Sequence, residues 1–565
     1  MIDLKGRPFY LNDEAIAWVN ETRDRMTVEE KAGQLFCVLF KEAKKEEFDY
    51  VFSILKPGGC MYRIIPTERA VSASNELQRR SAVPLLIAAN LEKGGNGIVS
   101  EGTLVGSPME IAATGDVDMA SKMAEACARE ASAVGANWAF APIIDIDSNF
   151  RNPITNTRTF GSDPETVRKM GEAYVRTVQG LNVAASIKHF PGDGQDERDQ
   201  HLVTSINSMD ADTWMATYGA AYKASIDAGA LTVMVGHIMQ PAWSRRLDPS
   251  LKDEDILPGT LSRELLQGLL RGELGFNGMI CTDATTMAGY TLAMSRRDAV
   301  PASIAAGCDM FLFARNLEED YGFMLDGIRR GVITGERLDE AVTRILATKA
   351  ALGLYKGAPV ADYEAARRVV GCERHQAWAE ECADRGITLV KEQKGVLPLS
   401  PDRYKRILFY TIEPPAGGES AYRVTPACAK VKALLEKEGF IIDDFVPQPY
   451  GEGFTTRYED VVRNYDLIVY VANLTTKSNQ TVVRIEWKQP MGADCGHYIN
   501  DVPTVFISLE NPYHLLDFPR VRTYINCYSG NDHVLRQLVE KLMGRSAFRG
   551  KNPVDPFCGK WDARL

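Results

Sequence analysis

The sequence predicts an N-terminal (β/α)8 TIM-like barrel followed by a smaller α/β sandwich domain. Three observations carry this expectation. Short apolar runs alternate with helical patterns from Met26 onward, and eight such runs occur before residue 314. A charged, irregular stretch at residues 354–371 then interrupts the pattern, and the alternation resumes on a smaller scale. An open doubly wound sheet is the other architecture that such alternation allows.

The expected barrel strands are residues 35–39, 58–62, 84–89, 138–144, 183–187, 231–236, 278–281 and 309–313. Helical patterns between them include 117–134, 164–179 and 211–228. Pro164 takes the first helical position after Ser162 and Asp163, where a missing N–H costs nothing. The amphipathic helix at 336–354 ends this part. The expected boundaries are 1–355 for the catalytic barrel, 356–372 for a linker and 373–565 for the C-terminal sandwich. In the second domain, strands are expected at 407–412, 467–472, 504–509 and 523–528, with helices at 426–438 and 532–543. No GxGxxG follows its first strand, so a nucleotide role has little support. Residues 545–565 read as a wrapping tail.

The bulk properties narrow the function. A net charge of −10 without a long basic run argues against nucleic acid or an anionic membrane as partner. No apolar run approaches the ~20 residues of a membrane helix, and the start, MIDLKGRPFYLNDEA, lacks the apolar core of a signal peptide. The 11 cysteines show no metal-ligand spacing, and Cys37, Cys281 and Cys308 lie in apolar runs as small hydrophobes. The expected location is the cytoplasm.

In a parallel barrel, chemistry belongs at the C-terminal strand ends. The third run ends in Asn90-Leu91-Glu92, the fourth in Asp145 and Asp147, the fifth in Lys188-His189, the sixth in His237 and the seventh in Asp283. The stretch IKHFPGDGQDERDQH, residues 187–201, adds Asp199 and His201 two positions apart. In an extended segment such residues share a side, so Asp199 is expected to orient His201. Any one of these histidines alone reads as a structural residue, and Asp283 alone reads equally as a helix N-cap. Together they point to a site. Three chemistries use such a set: glycosyl transfer with a carboxylate nucleophile and a separate acid, a Schiff-base lyase or aldolase on Lys188, and a metal site. The metal reading is weakened because no HxH or HxxxH pair occurs and Lys188 would repel a cation.

The run KHFPGDG…DQH resembles the signature of glycoside hydrolase family 3, in its β-N-acetylglucosaminidase-like branch. NPITNTRTFGSDP, VMVGHI, GMICTDA and GITLVKEQKGVLPL extend the resemblance over most of the chain, in matching order. It implies a retaining exo-β-glycosidase acting on terminal β-N-acetylglucosaminides or β-glucosides without cofactor or metal. It also implies roles: Asp283 as nucleophile, His201 as general acid/base on a mobile arm, and Asp199 as its partner. Arg158, Lys188, His189 and His237 become sugar-binding residues. Asn90 stands where the family usually has an aspartate, which retains hydrogen bonding but loses charge. A histidine acid becomes neutral after giving up its proton, whereas a carboxylic acid becomes an anion that repels phosphate by several kcal/mol at an effective dielectric of about 20. Inorganic phosphate is therefore an expected co-substrate beside water, with Arg151, Arg158 and Arg198 as candidate anion contacts. Asn511-Pro512-Tyr513-His514 marks a place where the second domain could contribute.

Overall fold

The computed structural model describes residues 2–392, 395–414, 426–446 and 457–565. It divides into two units. The first takes Met1–Val105, Ala120–Asn149 and Pro164–Gln376; the second takes Gly106–Met119, Phe150–Asp163 and Ala377–Leu565.

The first unit is the expected barrel. Its strands are Phe36–Phe40, Gly59–Tyr62, Leu86–Ala89, Trp138–Ala139, Ala184–Phe190, Thr232–Val235, Met279–Thr282 and Phe311–Leu312. They follow one another around the sheet in chain order, with the eighth beside the first. A parallel bridge between Cys281 and Met310 joins the seventh strand to the segment leading into the eighth. Each run is apolar on both faces because helices cover the outside and side chains fill the inside. Cys37, Cys60 and Cys281 are fully buried there, as small hydrophobes.

Two strands depart from expectation, and both departures shape the site. The fourth pairs over Trp138–Ala139 alone, because Pro142 has no N–H to continue the ladder; pairing returns only as an Ile143–Lys188 bridge. The fifth runs past its expected end, through Lys188 and His189 to Phe190. Its register against the sixth shifts between Ile187 and Phe190. Such an irregularity re-aims side chains, so Lys188 and His189 emerge from a bulged strand rather than from a loop. The helix expected at 211–228 is two α-segments, Ala211–Trp214 and Ala220–Asp227, joined by a wider turn of π type at Met215–Gly219.

The second unit carries a six-stranded sheet in the order Thr388–Lys391, Thr523–Asn526, Thr504–Ser508, Leu467–Ala472, Arg406–Ile412, Ile441–Asp444. Only the first of these runs antiparallel. Alternate residues serve two cores. Ile407, Phe409, Val469 and Ile507 pack with residues of the helices Ala427–Lys437 and Asp532–Leu542. On the opposite face, Tyr410, Tyr470, Phe506 and Tyr524 stack in a row with centroids 4.2, 5.9 and 5.4 Å apart. The edge strands Thr388–Lys391 and Ile441–Asp444 were not anticipated, being four residues each and partly polar. The tail is fastened down as expected: Gly550 N–H donates to Ile387 O at 3.2 Å and Lys551 N–H to Ala113 O at 2.9 Å. Gln393 and Lys394 of the GITLVKEQKGVLPL motif lie outside the described residues.

At the start of the eighth barrel strand, away from the strand ends that carry chemistry, Asp309 is fully buried. It accepts Arg271 Nη2 at 2.8 Å, Arg337 Nη2 at 2.6 Å and Ile280 N–H at 2.9 Å. Burial pushes this carboxyl up, yet Arg337, Arg271 and Arg344 more than cancel that and hold it ionised. Burial, aided by Arg344, brings Arg271 down to about 9. The cluster ties the helix Gly335–Ala351 to the barrel floor. Asp309→Ala leaves buried guanidinium groups without their shared anion, so it is expected to cost about 3–5 kcal/mol of unfolding free energy in a denaturant titration. A loss below about 1 kcal/mol would show that the cluster does not hold the barrel.

Candidate active site

Asp283 follows the seventh strand, its N–H bonded to Val235 O at 2.8 Å. Its Oδ1 accepts Ala284 N–H at 2.7 Å. The next helix, Ala288–Thr291, has Met287 at its N-cap, so the capping role does not apply. With a side chain 15% exposed, Asp283 has an oxygen that a ligand can reach. Burial pushes its carboxyl up, but the imidazoles of His189, His237 and His201, with the Ala284 N–H, outweigh burial and hold it below the usual carboxylate range. It is an anion at neutral pH, as a nucleophile must be.

His189 approaches Asp283 from the bulge of the fifth strand, Nε2 3.9 Å from Oδ2. Its other nitrogen is fixed by a residue to which the sequence reading gave no role. Fully buried Asp145 accepts His189 Nδ1 at 2.7 Å, His189 N–H at 3.1 Å and Asp193 N–H at 2.8 Å. Asp145 therefore sets the tautomer and ring plane of His189, leaving Nε2 for the site. Lys188 Nζ donates to Glu92 Oε1 at 2.8 Å, the two side chains 4% and 12% exposed. Asn90 stands exposed at the end of the third strand.

The pairing of Asp199 with His201 is present, but its geometry differs from the extended one expected. Leu202 and Val203 N–H groups donate to Asp199 O at 2.9 and 3.1 Å, closing a turn. Inside it, Asp199 Oδ1 accepts both His201 N–H at 2.8 Å and His201 Nδ1 at 2.7 Å. An Asx-type turn makes the same carboxylate hold backbone and ring. The Asp199 side chain is buried while that of His201 is 27% exposed, so the ring's Nε2 is left for a ligand. The arm read from the sequence as mobile is docked: Ala288 N–H donates to His201 O at 3.0 Å, and Thr204 Oγ1 to Gly289 O at 2.8 Å. Gly192 and Gly194 make the tight path possible, with φ of 118° and 100°. A Cβ at the first would strike the Tyr218 ring, and at the second Ile146 O.

His237 corrects the reading of it as a sugar contact. It is fully buried, Nδ1 3.0 Å from Thr260 Oγ1 and Nε2 3.1 Å from Ala284 O. A carbonyl can only accept, so Nε2 carries the proton and Nδ1 accepts the Thr260 hydroxyl. Both ring nitrogens are therefore engaged. Burial pulls it down to about 4 against the pull of Asp283, so it is neutral at pH 7. Of the candidate anion contacts, Arg198 is paired with Asp196 at 2.8 Å. Arg151 lies over the Phe150 ring at 4.9 Å. Arg158, whose Nη1 donates to Ile154 O at 3.1 Å, sits in the Phe150–Asp163 segment of the second unit. His514 is buried in that same unit, where burial lowers it to about 4. Asp145, Glu92 and Asp193 could be flagged in the sequence only as acids near strand ends, a signal shared with many caps.

Residues 27–348 match a family model described as the glycosyl hydrolase family 3 N-terminal domain. The chain is 52% identical over 568 residues to a β-N-acetylglucosaminidase/β-glucosidase of Cellulomonas fimi, covering 100% of both. It superposes on the solved β-glucoside phosphorylase BglX with a TM-score of 0.93 at 48% identity, over 99% of both chains; that protein has also been solved bound to 2FGlc. A β-N-acetylglucosaminidase of the same family from Paenibacillus sp. str. FPU-7 gives 0.79 at 26% identity, over 95% of this chain and 100% of that one. The lyase alternative finds no support in these relatives, and the Lys188 amine is committed to Glu92.

The charge balance at Asp283 can be tested directly. His189→Ala removes the largest influence opposing burial, so the Asp283 carboxyl is expected to titrate at higher pH than in the parent protein. Carboxyl-carbon NMR titration checks this; an unmoved or lowered midpoint would refute the assignment.

Proposed function

The chain belongs to glycosyl hydrolase family 3, and from that membership we propose a retaining β-glycosidase that releases terminal β-N-acetylglucosamine or β-glucose, passing it to phosphate or water. The observation that carries this reading is the pairing of chemistries at one barrel mouth: an ionised, reachable Asp283 and a His201 held by buried Asp199. In the first step Asp283 attacks the anomeric carbon, while His201 Nε2–H protonates the departing oxygen. The C–O bond to the leaving group breaks as the glycosyl-aspartate ester forms. In the second step water or phosphate takes the sugar and Asp283 leaves as carboxylate. Water needs His201 to accept its proton; phosphate arrives already charged and needs no base.

Lys188, His189 and Asn90 serve as sugar contacts in this reading. The Lys188–Glu92 pair supports it, because two charges held at a strand end offer both a donor and an acceptor to sugar hydroxyls. Neither step calls for a cofactor or metal. The eleven free cysteines support a cytoplasmic location.

The test is a panel of aryl β-glucosides and β-N-acetylglucosaminides with and without inorganic phosphate. Phosphate is expected to speed turnover and yield sugar 1-phosphate; release of free sugar alone, at an unchanged rate, would leave a hydrolase only. Asp283→Ala is expected to bring turnover to background, and a 2-fluoro glycoside to label Asp283 covalently. A label on any other residue would overturn the assignment of the nucleophile.

A further inference from the structure

Gln200, between the two members of the dyad, is 1% exposed and uses both ends of its amide. Its Oε1 accepts the backbone N–H of His237 at 2.8 Å, and its Nε2 donates to Asp193 Oδ2 at 3.2 Å. Its own carbonyl accepts Gly289 N–H at 3.2 Å. A Cβ on residue 236 would lie 3.0 Å from Gln200 Oε1, so the glycine there lets the amide reach the end of the sixth strand.

These bonds have neighbours on both sides. Toward the fifth strand, Asp193 N–H is bonded to Asp145, which holds His189. Toward the seventh, the His237 ring donates to Ala284 O, one residue beyond Asp283. Gln200 thus joins the groups that steady the His189 ring to the backbone that carries the nucleophile. Asp199 and His201 flank it in the chain, so their position follows that of the Gln200 amide. A buried amide whose donor and acceptor are both used has one preferred pose, since shifting it leaves buried groups unpaired.

We infer that Gln200 is a positioning residue that sets the acid/base histidine in register with the nucleophile, so that the His201 Nε2 proton meets the departing oxygen as Asp283 attacks. The inference rests on the reading of His201 as the general acid and adds the element that fixes its reach. It assigns no contact between Gln200 and substrate. An error of about 1 Å in such a reach can lower a rate by about 100-fold.

The experiment compares His201→Ala, Gln200→Ala and Gln200→Met on two substrates of one sugar, an alkyl glycoside and a dinitrophenyl glycoside. The alkyl group leaves only with protonation and the dinitrophenolate without it. Gln200→Ala is expected to lower kcat/KM, which reports the first step alone, by about 100-fold on the alkyl glycoside, with kcat/KM on the dinitrophenyl glycoside within a few-fold. Gln200→Met keeps the side chain's length, loses both hydrogen bonds and is expected to show the same split; it carries the test should the alanine variant not fold. If His201→Ala lowers kcat/KM equally on both substrates, the acid assignment itself fails. If His201→Ala splits them and folded Gln200 variants do not, the inference about Gln200 alone is overturned.

Discussion

The site depends on one opposition: a carboxylate must stay ionised where burial favours its neutral form. Asp283 sits at a barrel mouth among apolar strands, and desolvation by itself would raise it. The imidazoles of His189 on the fifth strand, His201 in the turn beyond it and His237 after the sixth reverse that outcome, and each has to be held at its own angle. Asp145 does this for His189, Asp199 for His201, and Thr260 with Ala284 O for His237. The buried polar groups of the mouth are largely the supports of this one charge. Without its supports, an imidazole would rotate and screen the carboxylate poorly, and Asp283 would lose its charge before it lost its place.

The floor of the same barrel uses the same ingredient to another end. Asp309 is also a buried carboxylate held ionised by cations, but its oxygens are taken up by two arginines and the Ile280 N–H. Saturation makes it a fastener. At the mouth, Asp283 gives one oxygen to Ala284 N–H and keeps the other 3.9 Å from His189. That open oxygen is what the proposed nucleophilic role requires. The division agrees with the general asymmetry of such barrels, stability at one face and reaction at the other.

The eight-strand alternation was legible because burial on both faces writes an unbroken apolar run, and the 187–201 stretch was legible because its residue types are costly to gather without purpose. What escaped depended on partners distant in the chain. Pro142 was visible, but its ending of the fourth ladder depends on what the neighbouring strand offers. The bulge at Lys188-His189 is a property of pairing with Thr232–Val235. The Asp199 turn replaced an extended segment because one carboxylate could serve a backbone N–H as well as a ring. His237 had the same sequence signal as His189, a histidine after an apolar run; the hydroxyl of Thr260, 23 positions away, and the carbonyl of Ala284 separate a support from a contact.

The choice of histidine as acid on the proposed reading has an electrostatic logic that the turn makes concrete. Asp199 carries a permanent charge, which would seem to cancel the advantage of a neutral imidazole toward an arriving phosphate. The turn places that charge behind the ring, buried and already accepting two N–H groups from His201. At an effective dielectric of about 20, a unit charge at 4 Å costs an approaching anion about 4 kcal/mol, and at about 7 Å roughly 2.4. A carboxylic acid in place of His201 would present the nearer charge after donating its proton. The dyad presents the farther one, with its oxygen turned toward its own ring and backbone. A histidine alone would avoid both costs but would lack the carboxylate that fixes its ring plane and turns Nε2 toward the site. Orientation is thus obtained with a charge set one ring farther from the acceptor, where it interferes least with an anionic nucleophile.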